Sequence, residues 1–314
     1  MSAKEKYKAL CEQVDMPLFL QYWWLEGVCA GRDWDVVIVH ASDCGGEGNE
    51  IIGAMPYETD KWLWWRYIKP SDMTPYAGIW VREEVRKDEK LVLAIYKYVE
   101  KWLNDNKITS CHQRLFPDAI LLEDVKESPF KLGRRATYII DNPSNLDDVL
   151  SGFSRNKRKK LERLTLTYNL TDVEPEEFYR FHAAACRQKN KSISYTREML
   201  LVIVEKAMLH NQCKLLGIRD ADGELLAEGL MVWDSSMAYM LINTFDHDKP
   251  SDGAREKLTF EAIKQARSLG VSIDFTCSRD YLKNYGAKRR KVYSVHYGSL
   301  TFVAVQRFID WIKR

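Results

Sequence analysis

Residues 271–291 read V-S-I-D-F-T-C-S-R-D-Y-L-K-N-Y-G-A-K-R-R-K, and this stretch decides how the second half of the chain folds. An alternating strand pattern is predicted for residues 271–276 and ends in a T-C-S turn. A short segment with Lys283, Tyr285 and Gly286 follows. A strand that brings a polar turn and a lysine together suits a transferase site, because the lysine can stabilise an oxyanion or, where burial lowers its pKa, act as a base. The alternative is a surface segment in which Lys283 is solvated and Tyr285 lies in the core.

Length and composition predict a globular protein of two domains, or of one domain with two lobes. At 314 residues the chain is about twice the usual domain size, and 46% of its residues are apolar, which is enough for a sizeable core. No apolar run approaches the roughly 18 residues that a membrane span requires. The polar start M-S-A-K-E-K-Y-K predicts no signal peptide. We therefore expect no integral membrane segment.

The seven cysteines form no C-x-x-C pair. This spacing argues against a zinc site and against a disulfide framework, so no metal is expected. Free cysteines are typical of a reducing compartment, and the sequence therefore predicts a cytoplasmic protein. A cysteine nucleophile at Cys277 is disfavoured, because nothing in the spacing unites it with His247 or His296.

The two halves of the chain carry opposite charge. Residues 1–150 contain 19 Lys/Arg against 25 Asp/Glu, a net charge of −6, whereas residues 151–314 contain 28 against 20, a net charge of +8. A polyanionic ligand would be attracted to the second half. The alternative is that the two halves attract each other.

Hydrophobic periodicity predicts a mixture of strands and helices in both halves. In the first half we expect strands at 34–40, 50–57, 108–115 and 134–140, a helix at 84–104, and a short helix to Leu150 capped by Ser144 or Asn145. In the second half we expect helices at 175–187, 197–210, 254–269 and 301–312, and strands at 214–219, 225–233, 237–245, 271–276 and 292–297. Ser251 or Asp252 is predicted to cap the helix at 254, and Gly270 to end it. Trp62, Trp64 and Trp65 are interpreted as packing residues.

A run of basic residues opens the second half as S-R-N-K-R-K-K-L-E-R, residues 154–163. Four consecutive bases on a helix cover about 300° at roughly 100° per residue, so they cannot all face a core. Lysine and arginine bind phosphate groups through charge-assisted hydrogen bonds. The alternative is an exposed helix start with ordinary solvated bases.

Three passages of the second half resemble the acetyltransferase-like domain of the GNAT superfamily found in Fem-type transferases. They are S-R-N-K-R-K-K-L from residue 154, G-E-L-L-A-E-G-L-M-V-W from residue 223, and I-D-F-T-C-S-R-D-Y-L-K-N-Y-G-A from residue 273. The last is similar to the family's aromatic-Lys-x-x-aromatic-Gly element, with Leu282 in place of the first aromatic residue. P-L-F-L-Q-Y-W-W-L at 17–25 and M-T-P-Y-A-G-I-W at 73–80 resemble the family's opening lobe.

The resemblance implies an α+β fold of two GNAT-like lobes, each a mixed sheet flanked by helices, with residues 1–143 in one lobe and 144–314 in the other. It implies acyl transfer to an amine in a cleft between the lobes. The donor would be an acyl-CoA or an aminoacyl-tRNA that acts as a co-substrate, with no tightly bound cofactor. Fem-type members extend the peptide of a peptidoglycan precursor, so a cell-envelope precursor is one expected acceptor. The oligomeric state stays open.

The resemblance also implies roles for individual residues. Lys283 and Tyr285 are the candidate catalytic residues. The candidate substrate-binding residues are Asn156 and Arg158, toward a phosphorylated ligand, and Trp24 and Tyr76, toward the acceptor.

Gly253, Ala254 and Arg255 stand where the superfamily has its pyrophosphate loop and are the candidate donor-binding residues. The first basic residue and the second small residue of that loop are missing, which weakens CoA as the donor. The alternative to an enzyme is a protein that binds RNA or another polyanion on a degenerate GNAT-like fold.

Overall fold

The computed structural model describes residues 1–29, 32–117, 130–142, 145–164, 167–248 and 253–298. The helix expected at 301–312 and the cap residues Ser144, Ser251 and Asp252 lie outside these ranges.

The described residues form eight α-helices and twelve β-strands. The helices are α1 (Ala3–Gln13), α2 (Tyr22–Val28), α3 (Glu89–Asp105), α4 (Leu146–Gly152), α5 (Arg155–Leu164), α6 (Pro175–Gln188), α7 (Arg197–Leu209) and α8 (Ala254–Ser268). The strands are β1 (Trp34–His40), β2 (Ile51–Trp62), β3 (Trp65–Ile68), β4 (Trp80–Val81), β5 (Ile108–Arg114), β6 (Lys131–Ile140), β7 (Asn169–Asp172), β8 (Cys213–Arg219), β9 (Leu225–Trp233), β10 (Met237–Phe245), β11 (Ser272–Asp274) and β12 (Lys288–Gly298).

The chain divides into two compact units, and the second is a continuous segment, Ala136–Lys291. The first unit contains Met1–Arg135 and the chain from Val292 onward. This division differs from the expected boundary at residues 143 and 144, because β12 pairs with β5 of the first unit. A single boundary in the sequence cannot describe a unit that is made of two separate segments.

The first unit is a mixed sheet packed against α3. Its strand order is β1-β2-β3-β5-β12, with β4 beside β2, and the β3–β5 pair is parallel. β1 and β2 form the predicted antiparallel hairpin. Helix α3 buries Val92, Ile95, Val99 and Leu103 against this sheet. It begins at Glu89 rather than at residue 84, because the Asp88 side chain accepts hydrogen bonds from the first turn of the helix.

The second unit is also a mixed sheet with helices packed on it. Its strand order is β6-β11-β10-β9-β8-β7, and the β10–β11 pair is parallel while the other pairs described are antiparallel. Helix α8 contributes Leu258, Ala262, Ile263 and Ala266 to a core that it shares with β8, β9, β10 and β11. The predicted class, mixed sheets flanked by helices in two α+β units, is confirmed.

The basic run does not form a uniformly solvated face. Lys157 turns inward from α5 and makes an ion pair with Glu256 in the first turn of α8, and the Lys157 and Glu256 side chains are 16% and 3% exposed. The Lys157 ammonium also lies 5.0 Å from the centre of the Tyr285 ring. Part of the predicted phosphate-binding surface therefore serves to dock α5 on α8.

The tryptophans of the β2–β3 hairpin differ from their predicted packing role. Trp64 is 77% exposed, and its neighbour Leu63 is 65% exposed. Strand β2 also runs to Trp62, well past the expected end at residue 57, so these residues form the tip of a longer hairpin. The core-packing interpretation is wrong for Trp64.

Candidate functional site

A cavity opens in the second unit where two parallel strands separate. β10 and β11 pair only from Met237 to Tyr239 on the first strand and over the whole of the second, Ser272–Asp274. Beyond this point β11 has ended while β10 continues, and a cavity of about 450 Å³ lies between β10 and the segment that follows β11. The residues that line it include Met240, Thr244 and Thr276. Separation of the strands leaves one backbone edge of β10 facing the cavity instead of a neighbouring strand.

Two local irregularities keep the strands apart. β10 has a bulge between Met240 and Ile242, which places Leu241 out of register. β11 ends at Asp274 because Thr276 adopts a positive φ of 50°, which is incompatible with a continuing strand. The Asp274 carboxylate accepts a hydrogen bond from the Thr276 amide at 2.7 Å, and the Thr276 hydroxyl donates to the Met240 carbonyl at 2.9 Å. The predicted strand at 271–276 is shortened for this reason.

Four basic side chains line the cavity, those of Lys189, Lys191, Arg255 and Arg279. The Arg255 guanidinium lies 5.0 Å from the centre of the Phe245 ring and 5.4 Å from that of Tyr281, so two aromatic rings hold it in place. A fixed guanidinium is well suited to a phosphate group, because little conformational entropy is lost when the contact forms.

Helix α6 forms a polar wall of the same cavity. His182, Ala185, Cys186 and Lys189 line it, and their spacing places them on one face of the helix. His182 Nδ1 lies 2.7 Å from the Thr244 hydroxyl, and His182 Nε2 lies 3.5 Å from Cys186 Sγ. Burial lowers the pKa of His182 to about 4. The imidazole is therefore neutral near neutral pH and shares a hydrogen bond with the Thr244 hydroxyl.

Two buried polar groups lie behind this wall. Glu228 is fully buried on β9, and its Cα partner across the antiparallel pair is Thr244, so both side chains are on the same face of the sheet. Among the residues that the structure describes, neither carboxyl oxygen of Glu228 has a hydrogen-bond partner, and neither does the Tyr195 hydroxyl. Burial, with a smaller contribution from Glu177, raises the pKa of Glu228 to about 10. Glu228 is therefore protonated and neutral near neutral pH.

The candidate donor-binding residues meet at the start of α8. Gly253 caps the helix with a left-handed backbone at φ 93°, Ala254 is fully buried, and Arg255 reaches the cavity. Of these three residues, only Arg255 presents a side chain to a ligand in the cavity.

The candidate catalytic residues lie on a short 3-10 turn, Asp280–Asn284, and just after it. The Lys283 ammonium is 3.2 Å from the Asp280 carboxylate, and the Lys283 side chain is 57% exposed. Hydrogen bonds with Asp280 and Tyr138 raise the pKa of Lys283. Lys283 is not among the residues that line the cavity. Its role in transfer therefore stays a prediction.

Tyr285 is fully buried and packs edge-to-face on Phe153, with ring centres 5.2 Å apart. Gly286 follows it at φ 78°, and a Cβ at this position would lie 3.1 Å from the Gly152 Cα. The Tyr-Gly pair of the motif thus fixes the contact between the Lys283 segment and the end of α4.

Two of the four candidate substrate-binding residues lie in the second unit and two lie in the first. Asn156 and Arg158 are exposed on α5. Trp24 is fully buried in the first unit and donates a hydrogen bond to the Thr74 hydroxyl at 3.1 Å, and Tyr76 is 4% exposed. Contact with an acceptor would require Trp24 and Tyr76 to leave this packing.

The polar wall was not predicted from the sequence, although two signals for it were present. Glu228 is the single charged residue in the apolar strand L-L-A-E-G-L-M-V-W, and a glutamate is rarely buried in such a strand unless it is paired. His182 and Cys186 have i, i+4 spacing on a predicted amphipathic helix. Thr244, which His182 contacts, and Tyr195 lie elsewhere in the sequence, and no pattern around either residue indicates the site.

A family model described as Acetyltransferase (GNAT) domain matches residues 153–289, which covers most of the second unit. Residues 153–289 are therefore similar to a GNAT acetyltransferase domain. No curated protein is similar enough in sequence to count as a match.

Solved structures extend the likeness to nearly the whole chain. A structure of FemX has a TM-score of 0.69 at 13% identity and covers 92% of this chain and 95% of its own. The C-terminal domain of a putative lysylphosphatidylglycerol synthetase from Agrobacterium fabrum has a TM-score of 0.61 at 11% identity, covering 97% of this chain and 95% of its own. L-PGS from Bacillus licheniformis has a TM-score of 0.57 at 12% identity, covering 97% and 94%. At these identities the likeness concerns the fold, and the predicted resemblance to Fem-like GNAT proteins is confirmed at that level.

The residues that line the cavity all lie within the part of the chain that this family model matches. None of the helices that the structure describes is long and apolar enough to cross a bilayer.

Proposed function

We propose that this protein transfers an acyl or aminoacyl group from an activated donor to an amine, in the cavity of the GNAT domain. The observation that carries the proposal is the separation of the parallel strands β10 and β11, which opens a cavity bordered by a free strand edge and by Arg255. A donor with amide groups in an extended arm can pair with such an edge as an added strand. Its acyl carbon would then lie beside the α6 wall.

The donor is a phosphorylated molecule in this proposal, either an acyl-CoA or an aminoacyl-tRNA. Four basic side chains around the cavity provide the attraction for phosphate groups. The cavity volume of about 450 Å³ falls in the range of small-molecule sites and is far too small for the body of a tRNA. Only the reactive end of either donor would enter, and both donors are made in the cytoplasm, where we place the protein.

The acceptor must present a neutral amine to the acyl carbon. His182 is neutral near neutral pH and contacts the Thr244 hydroxyl, so the pair can orient the attacking amine through hydrogen bonds. When the amide bond forms, the proton that the amine loses is balanced by the proton taken up by the leaving group, the thiol of CoA or the terminal hydroxyl of tRNA. We assign the acceptor to the primary amines, with the amine of a cell-envelope precursor as the candidate that the resemblance to Fem-type proteins implies. Lys283 remains the proposed residue for oxyanion stabilisation, a role in which it would leave Asp280 and turn toward the acyl carbon.

Calorimetric titration of the purified protein with CoA and with acetyl-CoA tests the donor. A dissociation constant at or below about 10 μM, roughly −7 kcal/mol, is too tight for incidental phosphate attraction and would identify an acyl-CoA transferase. No detectable heat would remove CoA, and aminoacyl-tRNA would then be tested by transfer of a radiolabelled aminoacyl group to amine acceptors. Absence of transfer from both donors would contradict the proposal.

Replacing Arg255 by Ala is expected to weaken donor binding by about tenfold to a hundredfold, because a hydrogen bond to a charged group contributes about 1.5 to 3 kcal/mol. Arg255→Lys should recover part of this loss, since it keeps the charge without the planar fork. Arg267, exposed near the end of α8 and outside the cavity, is the matched control, and Arg267→Ala should leave the affinity unchanged. Equal affinities for the wild type and Arg255→Ala would remove Arg255 from the donor site.

Replacing Lys283 by Ala separates an enzyme from a polyanion-binding protein. In a transferase the change is expected to lower turnover by at least about tenfold while donor affinity and the thermal midpoint stay the same. Lys288, which is also exposed and ion-paired, serves as control through Lys288→Ala. A binding protein would instead show no turnover, indifference to Lys283→Ala, and RNA affinity that falls with salt at a log–log slope near −0.7 per phosphate contact.

A further inference from the structure

The β2–β3 hairpin ends in a cluster of four apolar side chains, two of them exposed and two half-buried. Trp62 and Trp65 are cross-strand partners whose ring centres are 5.0 Å apart, and Trp64 packs edge-on against Trp65 at 5.5 Å. Leu63 and Trp64, the two residues of the turn, are 65% and 77% exposed. We call Trp62–Trp65 the hairpin tip. Exposure of these apolar side chains to water is unfavourable, and a surface that covered them would stabilise the protein.

The turn residue is unfavourable for the backbone as well as for solvation. Leu63 has a φ of 55°, a region that glycine and asparagine adopt readily and that a leucine enters only at a cost. Strain of this kind persists at positions where the side chain serves a purpose. Leu63 is therefore a large apolar residue at a position where turn geometry favours glycine or asparagine and solvation favours a polar side chain.

The hairpin tip lies between basic residues. From Asp60 to Lys69 the sequence contains three basic residues and one acid, a net charge of +2, in a half of the chain whose net charge is −6. Asp60 is held by Lys69 at 3.3 Å and accepts a hydrogen bond from the Tyr67 hydroxyl at 2.9 Å. Lys61, next to the tip, is exposed. The local field therefore attracts an anionic surface.

We propose that the hairpin tip inserts into the headgroup region of an anionic lipid bilayer and holds the protein there reversibly. Tryptophan prefers this region because its ring is apolar and its N–H reaches water, and basic residues beside it attract anionic headgroups. A second protein copy is a poorer occupant. Four side chains bury a few hundred Å² at most, against the roughly 800 Å² per partner of a stable protein interface.

Cosedimentation with lipid vesicles tests the proposal directly. The wild type is expected to cosediment with vesicles of phosphatidylcholine mixed with phosphatidylglycerol, more weakly with phosphatidylcholine alone, and less at high salt. Trp64→Ala should weaken the partition coefficient by about tenfold, because burial of one large aromatic side chain contributes at least that factor. Leu63→Gly should also weaken it and leave the fold intact or more stable, since glycine relieves the positive φ.

The matched control is Leu209→Ala. Leu209 is 77% exposed, as Trp64 is, but lies at the end of α7 in the other unit, so this change should leave vesicle binding unaltered. Failure of the wild type to cosediment, or equal partition coefficients for the wild type and both tip variants, would overturn the proposal. Sedimentation velocity without lipid provides a second criterion. A dimer that Trp64→Ala converts to a monomer would assign the tip to a contact between copies and overturn the bilayer as its partner.

Discussion

Replacing Lys157 by Ala is expected to lower the free energy of unfolding by about 3 to 5 kcal/mol, because removal of one partner from a buried ion pair leaves an uncompensated charge. The charge left behind is that of Glu256, whose side chain is 3% exposed in the first turn of α8. The same substitution at Lys159, exposed on the same helix, should change stability by less than about 0.5 kcal/mol. Chemical denaturation of the two variants at neutral pH measures both values.

The pH dependence provides an independent check on the Lys157–Glu256 pair. Burial raises the pKa of Glu256, but the hydrogen bond and charge of Lys157 outweigh it, and the pKa lies below its ordinary value of 4.5. A lowered pKa contributes stability that is present above pH 4.5 and lost as the pH falls through the folded-state pKa. The gap between the wild type and Lys157→Ala should therefore shrink in acid.

A double variant distinguishes loss of the ion pair from loss of packing. Lys157→Met with Glu256→Leu removes both charges and keeps apolar volume, so it should recover most of the stability that Lys157→Ala loses. A double variant as unstable as Lys157→Ala, or a gap that stays constant down to acid pH, would show that the pair does not carry the stability. The basic run would then have to be reinterpreted as a solvated surface.

This ion pair shows where prediction from the sequence stops. The basic run lies on a helix, α5, as the interpretation of an exposed helix start assumed. Glu256, however, is 99 residues away from Lys157 along the chain. Nothing in the run itself distinguishes Lys157, which is paired and buried, from Lys159, which is exposed. Long-range pairing is decided by how α5 docks on α8, and a single sequence contains no direct record of that.

The fold was more accessible than the site for the same reason. The bounds of β9 and β10 agree with the predicted strands, and the order of elements was sufficient to indicate a GNAT-like unit. The cavity, in contrast, depends on a bulge at Leu241 and on the positive φ of Thr276, and neither follows from residue type. Arg255 was named as a candidate because of its position at the start of α8. The His182–Thr244 contact joins a helix to a strand 62 residues away and could not be predicted.

Replacing Glu228 by Gln is expected to raise the free energy of unfolding near neutral pH by about 2 to 4 kcal/mol. The folded protein must keep the buried Glu228 carboxyl protonated, whereas the unfolded chain releases that proton, and glutamine removes this difference. Burial raises the pKa of Glu228 from its ordinary value of 4.5 to about 10. A raised pKa contributes stability that is fully present below pH 4.5 and lost as the pH rises toward 10. Each pH unit in that window costs up to about 1.4 kcal/mol.

The comparison with glutamine isolates the proton, because the amide has the shape of the protonated acid and also lacks partners at this position. Wild type and Glu228→Gln should therefore have similar stability below pH 4.5 and diverge as the pH rises, in denaturation series recorded at several pH values. Glu205→Gln, at an exposed position on α7, is the control and should follow the wild type throughout. Parallel curves for Glu228→Gln and the wild type would mean that the Glu228 carboxylate finds a partner or water on ionisation. Divergence of the two stability curves would establish that the Glu228 carboxyl is neutral in the folded protein. This neutral acid lies on β9, opposite Thr244 on β10, and Thr244 in turn contacts His182 in the wall of the cavity.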